Sequence, residues 1–423
     1  MIPTQTYRPW WAKTAGLTAL TLALVTACGG DGGGTSAGGQ DDRGPITYVQ
    51  FKDQSGLLGP MVERWNAAHP GEEVTLKETA AGQEHEDLTQ NFQAKSGAYD
   101  VVLVDVVWTA EFAARGWLVP LEGDMAIDTS GLLPPTLDAA TYNGKVYAGP
   151  KLSDAGLLYY RSDLVAEPPK TLDEMWSMCP IAEKHGIDCF AGQFAQYEGL
   201  TVNATEWMNA YGAQLVDETG KPTVNSPQAV EGLSRLVEHV ENGDIPKKAL
   251  TYREEESRLA FQNGKTLFLR NWPYAYSLAS TDASSAVKGK FAVAPLPGVD
   301  GPGTSTLGGH MAGVSAYSEH KATARDFVQF LMSEKEQRIA LETGSYAPVL
   351  TSLYGEPDLV RKFPYLPQLK TSIENAEARP ETPFYPAVTE AIQTNAFLAL
   401  QGQKTPARAV ADMQAAMVAG SRR

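Results

Sequence analysis

Positive charge is in short supply in this chain. Its 423 residues carry 35 Lys and Arg against 50 Asp and Glu, a formal net charge of −15. Such a field disfavours nucleic acid or anionic lipid as a partner of the general surface. Histidine and cysteine are scarce as well, at six and three, which leaves little material for a metal cluster or a dense disulfide scaffold. Signatures of catalysis are missing. There is no G-x-S-x-G elbow, and His85-Glu86 is followed by no second histidine at zinc-binding spacing. Gly264-Lys265-Thr266 looks like the end of a phosphate loop, but Leu259 stands where the first glycine is needed. Glu254-Glu255-Glu256 reads as a solvated helix face. Paired carboxylates of a secreted glycoside hydrolase depend on tertiary separation, so that alternative stays open at this level. Beyond the N-terminus no apolar stretch approaches the roughly 18 residues of a membrane span.

The N-terminus is different. Arg8 and Lys13 precede an uncharged run over residues 14–27 that ends Val25-Thr26-Ala27-Cys28. A basic region and a short apolar core make residues 1–27 a secretory signal. Small residues before a cysteine resemble a bacterial lipobox, which implies lipidation of Cys28 and an extracytoplasmic protein held to the outer face of the membrane. Cleavage there would remove two cations and leave 33 basic residues against 50 acidic ones, or −17. Residues 28–45 then form a tether: eight of the seventeen residues after Cys28 are glycine, giving a reach of roughly 20–25 Å. In an exported chain the nearby pair Cys179 and Cys189 reads as a disulfide, and His185 between them is weak support for metal.

The body from residue 46 alternates strand and helix patterns. Strands are predicted over 46–51, 73–77 and around 101–104, and helices over 58–68 and 84–95. This alternation implies βαβ units and a parallel sheet. Val101 to Val104 lacks period-two alternation, as a strand covered on both faces does. Further strands are predicted within 142–160, over 266–270 and over 290–294. Helices dominate 171–262, a Pro- and Gly-rich loop runs from 295 to 309, and one amphipathic helix is predicted over 322–341. Trp65 and Trp117 sit at helical core spacing and read as packing.

Six segments in order, WNAAHPGEEVTLKE, YDVVLVDVVWTAEFAARGWLVPL, GLLYYRSDLVAEPPKTLDEM, FQNGKTLFLRNWPYAYSLA, VAPLPG and LGGHMAGVSAYSEHKATARDFVQFL, resemble the family 1 extracellular solute-binding proteins. These are carbohydrate-receptor lipoproteins of ABC importers. The spacing of the last four, with Gln196-Tyr197-Glu198-Gly199, is closest to the trehalose/maltose-binding branch. The resemblance implies an α/β architecture of the periplasmic-binding-protein type II fold, two α/β lobes joined by hinges around a ligand cleft. One lobe would take 46–152 plus 301–344, the other 153–300 plus 345–423. Crossings would fall near Pro150–Asp154, Pro297–Gly303 and Gly344–Pro348. It also implies a monomer that delivers an α-glucoside or short oligosaccharide to permease subunits, without a cofactor, metal or catalysis.

A sugar offers an apolar face to an aromatic ring and a belt of hydroxyls to planar charged groups. Asp105 closes a buried parallel strand, at the edge where open α/β sheets bind ligands; the alternative is a helix cap. Trp108 follows it, as platform or as packing. Asp154 lies where the chain should cross between lobes, as ligand or as structural hinge carboxylate. Asn271-Trp272-Pro273-Tyr274 is the sharpest local motif, with Trp272 and Tyr274 as stacking platforms. Gly308 and Gly309 permit close backbone approach. His310 stands where relatives often carry an aromatic, and Gly82–Glu86 lacks an arginine that some relatives use. Glu198 and Arg379 complete the expected cleft residues.

Overall fold

The computed structural model describes residues 42–52, 55–80, 82–217 and 219–422. The signal segment, Cys28 and most of the tether lie outside the described residues. Eleven strands follow in chain order: β1 Ile46–Phe51, β2 Val74–Thr79, β3 Val101–Asp105, β4 Thr141–Tyr142, β5 Lys145–Val146, β6 Ala148–Ala155, β7 Leu157–Tyr160, β8 Asp188–Ala191, β9 Thr266–Asn271, β10 Ala292–Pro295 and β11 Leu307–Val314. They form a five-stranded sheet in the order β2-β1-β3-β11-β6, a four-stranded sheet in the order β10-β7-β9-β8, and the small β4-β5 hairpin. β1 runs parallel to β2 and β3, whereas β11 runs antiparallel to β3 and β6. In the second sheet only β8 and β9 are parallel.

The chain passes from the first sheet to the second through Gly156 alone, between β6 and β7. It returns between β10 and β11, where Thr306 bridges to Glu377. A buried ion pair underlies both passages. Arg270 of β9 reaches Glu206 at 2.9 and 2.6 Å, and Glu206 also accepts from Ser305 Oγ and Thr306 N. Ser305 Oγ in turn accepts from Gly156 N. A Cβ on Gly156 would lie 2.5 Å from the Arg270 guanidinium, so only glycine lets the strand pass so close.

Each sheet has its own packing. Over the first, Trp65, Tyr48 and Phe330 surround Phe327, with ring centroids 5.3 to 6.0 Å from it. Trp65 and Trp117 are both buried, as their spacing predicts. Behind the second sheet, the helix Glu198–Ala210 crosses Pro227–Asn242 at Gly232. The Cys179–Cys189 pair is a disulfide joining the helix Cys179–His185 to β8.

Two expectations are corrected. The single helix over 322–341 is two, Lys321–Met332 and Glu334–Gly344, because Ser333 is extended at φ −60°, ψ 146°. Gln337 secures the break, donating to the Leu331 and Lys151 carbonyls and accepting from Val349 N. The loop over 295–309 ends early: Gly308 and Gly309 lie within β11, a central strand.

A Cβ at Gly232 would stand 2.5 Å from the Trp207 carbonyl oxygen and 2.8 Å from the Met208 Cα. Backbone cannot yield as a side chain does, so Gly232→Ala must push the two helices apart. We expect a loss of about 1–3 kcal/mol, read as a lower urea midpoint at unchanged slope. A stability within 0.5 kcal/mol of the parent, roughly the surface-substitution range, would contradict this contact.

Candidate functional site

Strand register brings the predicted residues together. Asp105, at the end of β3, is the partner of His310 on β11, and Gly308 on β11 is the partner of Asp154 on β6. A bulge between His310 and Met311 shifts the β11–β6 register there. The second sheet supplies Trp272, directly after β9. A Cβ on Gly308 would fall 2.9 Å from the Trp272 ring and 3.2 Å from the Asp154 Cβ. The indole, the carboxylate and the bare backbone therefore converge at the meeting of the two sheets. The Arg270 guanidinium lies over the Trp272 ring at 3.9 Å, a cation–π contact. Tyr159 Oη donates to the Trp272 carbonyl at 2.7 Å.

The two aspartates differ in their company. Asp105 accepts from Val107 N at 3.2 Å and has His310 Nε2 at 3.6 Å and Arg379 Nη2 at 3.7 Å. Burial works against its charge, but His310 and Arg379 outweigh it and hold the carboxyl below its ordinary value. The Asp154 carboxylate accepts no hydrogen bond from any described residue. Burial pushes its carboxyl up to about 6, Asp105 adds to the rise, and His310 and Arg270 offset part of it. Arg379 is buried, with Nη1 on Glu198, Nη2 donating to the Leu307 carbonyl at 3.2 Å, and Nε without a partner. Glu198 also accepts from Tyr385 Oη and Thr389 Oγ1.

The remaining predicted residues divide. Trp108 is half-buried, its ring 5.3 Å from His85, whose Nε2 meets Glu111 at 2.7 Å. Tyr274 is half-buried and donates to Glu255 at 2.6 Å. Asn271 is a correction. Its side chain is fully buried, donates to the Glu254 carbonyl and Ser257 Oγ, and accepts from Trp272 N. It seats the indole and has no open face for a ligand. Gly309, at φ 136°, is also a backbone device: a Cβ there would meet the Leu152 carbonyl at 2.6 Å. His310 is part-buried against Phe51, ring centroids 5.0 Å apart, with Nδ1 lacking a partner.

Sequence reasoning passed over Arg270, Glu206 and Arg253. Arg270 left a signal, being a charge inside the apolar run TLFLR, which demands a buried acid. Nothing local to Glu206 marks it as that acid.

Residues 48–338 match the family described as bacterial extracellular solute-binding proteins. A "Probable ABC transporter-binding protein" of Deinococcus radiodurans is 34% identical over 342 residues, 77% of this chain and 80% of that one. The chain belongs to the bacterial extracellular solute-binding proteins. A "Maltotriose-binding protein" of Pyrococcus abyssi is 26% identical over 68% of this chain and 62% of its own length. Among solved structures, maltose-bound T. maritima MalE3 superposes with a TM-score of 0.83 at 33% identity, covering 88% of this chain and 98% of that chain. The GacH receptor of Streptomyces glaucescens, solved unliganded and with acarbose, gives 0.81 at 25% identity over 90% and 99%. The sheets and helices described above thus form the α/β fold of these solute-binding proteins.

In this solute-binding protein, a side chain at Gly308 would meet both Trp272 and Asp154. Gly308→Ala should displace Trp272 and weaken solute binding at least about tenfold, the loss of roughly 1.4 kcal/mol, while far-ultraviolet circular dichroism stays unchanged. Undiminished affinity with unaltered tryptophan fluorescence would contradict the convergence of Gly308 and Trp272.

Proposed function

We propose that this chain is the extracellular sugar receptor of an ABC importer, and that its ligand is a trehalose/maltose-type α-glucoside or a short oligosaccharide. The observation that carries the reading is the meeting of the half-exposed Trp272 ring with Asp154, a carboxylate no described residue satisfies, across Gly308. A pyranose fits both demands at once, its apolar face on the indole and its hydroxyls on the acid. Asp105, Trp108, Tyr274, His310 and the Arg379–Glu198 pair line the same region in this reading, while Asn271 and Gly309 support it from behind. Maltotriose and maltose, named for two of the relatives, support it.

In this account the lobes are residues 46–155 with 307–344, and 157–295 with 345–423, joined through Gly156, through the segment around Thr306 and near Gly344. The ligand favours the closed arrangement by its higher affinity for it, and closure presents both lobes to the permease. The protein performs no chemistry on the sugar and needs no cofactor. It acts as a monomer, tethered by a lipid on Cys28.

A thermal-shift panel on residues 46–423 tests this, with trehalose, maltose, maltotriose, sucrose, cellobiose, xylobiose and a polyamine. A ligand at a hundred times its dissociation constant adds about 2.7 kcal/mol. The expected result is a rise of several degrees with α-glucosides alone, the sugar recovered intact. A rise only with the polyamine, or release of glucose, would overturn the receptor reading for sugars.

Acid should weaken this binding. Hydroxyl donors favour the ionised Asp154, whose carboxyl titrates at about 6 in the free protein, so affinity is full above that pH and falls as pH drops through it. In the free protein the sign is opposite for stability: the folded state holds this proton more tightly than the unfolded chain, so Asp154 costs stability as pH rises from about 4 to 6. Calorimetric titrations at pH 5 and 7.5 check the affinity, and Asp154→Asn should abolish this titration. Equal affinities at both pH values would contradict the role given to Asp154.

A further inference from the structure

At one end of the cleft a guanidinium of the second lobe meets the first. β2 ends at Thr79, and the chain turns at Gly82, φ +88°, before the helix Glu84–Gln93. Arg253 comes from the other lobe, immediately ahead of the helix Glu254–Gln262. Its Nη1 lies 3.3 Å from the place a Cβ on Gly82 would take, so the guanidinium rests on the Gly82 backbone. Its central carbon stands 4.8 Å from the Tyr197 ring centroid. The contact belongs to the ligand edge of both lobes. Gly82 comes shortly after β2, which pairs with β1 ending at Phe51, and the next residue after Arg253 holds Asn271, which seats Trp272.

Arg253 ends on a ring and not on a carboxylate. Arg64, Arg258, Arg270, Arg338 and Arg379 all end on carboxylates. Arg253 is exposed, forms no ion pair and donates no side-chain hydrogen bond to any described residue, although the chain carries fifteen more negative than positive charges. An aromatic ring fixes its plane while its donors stay free, which is the arrangement that suits bidentate recognition of vicinal hydroxyls.

We propose that Arg253 is a specificity-determining residue: it crosses from the second lobe to grip the terminal unit of the bound sugar and, seated on Gly82, closes that end of the cleft against longer chains. This rests on the carbohydrate-receptor reading above. Calorimetric titration of the parent protein, Arg253→Ala and Arg253→Lys with trehalose, maltose and maltotetraose tests it. Arg253→Ala should bind its preferred disaccharide about tenfold more weakly, with maltotetraose affected less, so that the preference for the short sugar narrows. Arg253→Lys should fall between, since an ammonium lacks the planar fork. Arg253→Ala with the parent's affinities and the parent's preference would overturn the proposal and leave the receptor reading intact. A folded parent protein that binds none of the three sugars would overturn the receptor reading, and the role of Arg253 in gripping sugar with it.

Discussion

The Arg270–Glu206 pair is the interaction on which the rest of this structure depends. Both side chains are buried, and a charge so placed is tolerated only when nearly every donor and acceptor is met. Here they are: Arg270 adds Gln193 to its two bonds with Glu206, and Glu206 gathers Ser305 and Thr306. The same few atoms lie beneath both strands that pass between the sheets, and the guanidinium forms the floor under Trp272. The passages between the sheets and the seat of the Trp272 indole are therefore set by one ion pair. An apolar replacement could match its stability, but it would supply neither the cation beneath the indole nor the acceptor for the returning chain.

Around that floor the cleft sorts its charges. Asp105 is balanced by His310 and Arg379, and Arg379 is balanced in turn by Glu198. Asp154 faces burial and a neighbouring acid with only a partial offset from His310 and Arg270, so its negative charge is the less compensated of the two aspartates. A neutral polyhydroxyl solute can satisfy such a carboxylate without adding charge, whereas a second anion could not. This matches a protein whose overall charge already repels anions.

Much of this was legible in the sequence where local chemistry decides structure. The strand over 46–51 and the helix over 58–68 appear with the predicted bounds, because period and the His69-Pro70-Gly71 stop agree. The convergence of Trp272 with Asp154 was legible only in part: each residue stood out, but a contact across Gly308 depends on strand register. Where tertiary contacts overrule local pattern, the reading failed. Helical periodicity runs through Ser333, yet Gln337 ties the break to Lys151 and Val349 far along the chain. Gly308 and Gly309 look like loop residues until Trp272 on one side and the Leu152 carbonyl on the other explain why a central strand needs them. Asn271 carries the polarity of a ligand residue and spends all of it on Glu254, Ser257 and its own neighbour.

In the reading proposed above, solute sits where Trp272, Asp154 and Gly308 meet. A crystal structure of residues 46–423 with the α-glucoside that stabilises the protein most tests it directly. The account predicts a sugar ring stacked on the Trp272 indole, with a hydroxyl within hydrogen-bond distance of the Asp154 carboxylate. Sugar bound instead in the separate pocket lined by Phe51, Met61, Lys151, Leu331, Gln337 and Tyr346, with Trp272 bare, would contradict it.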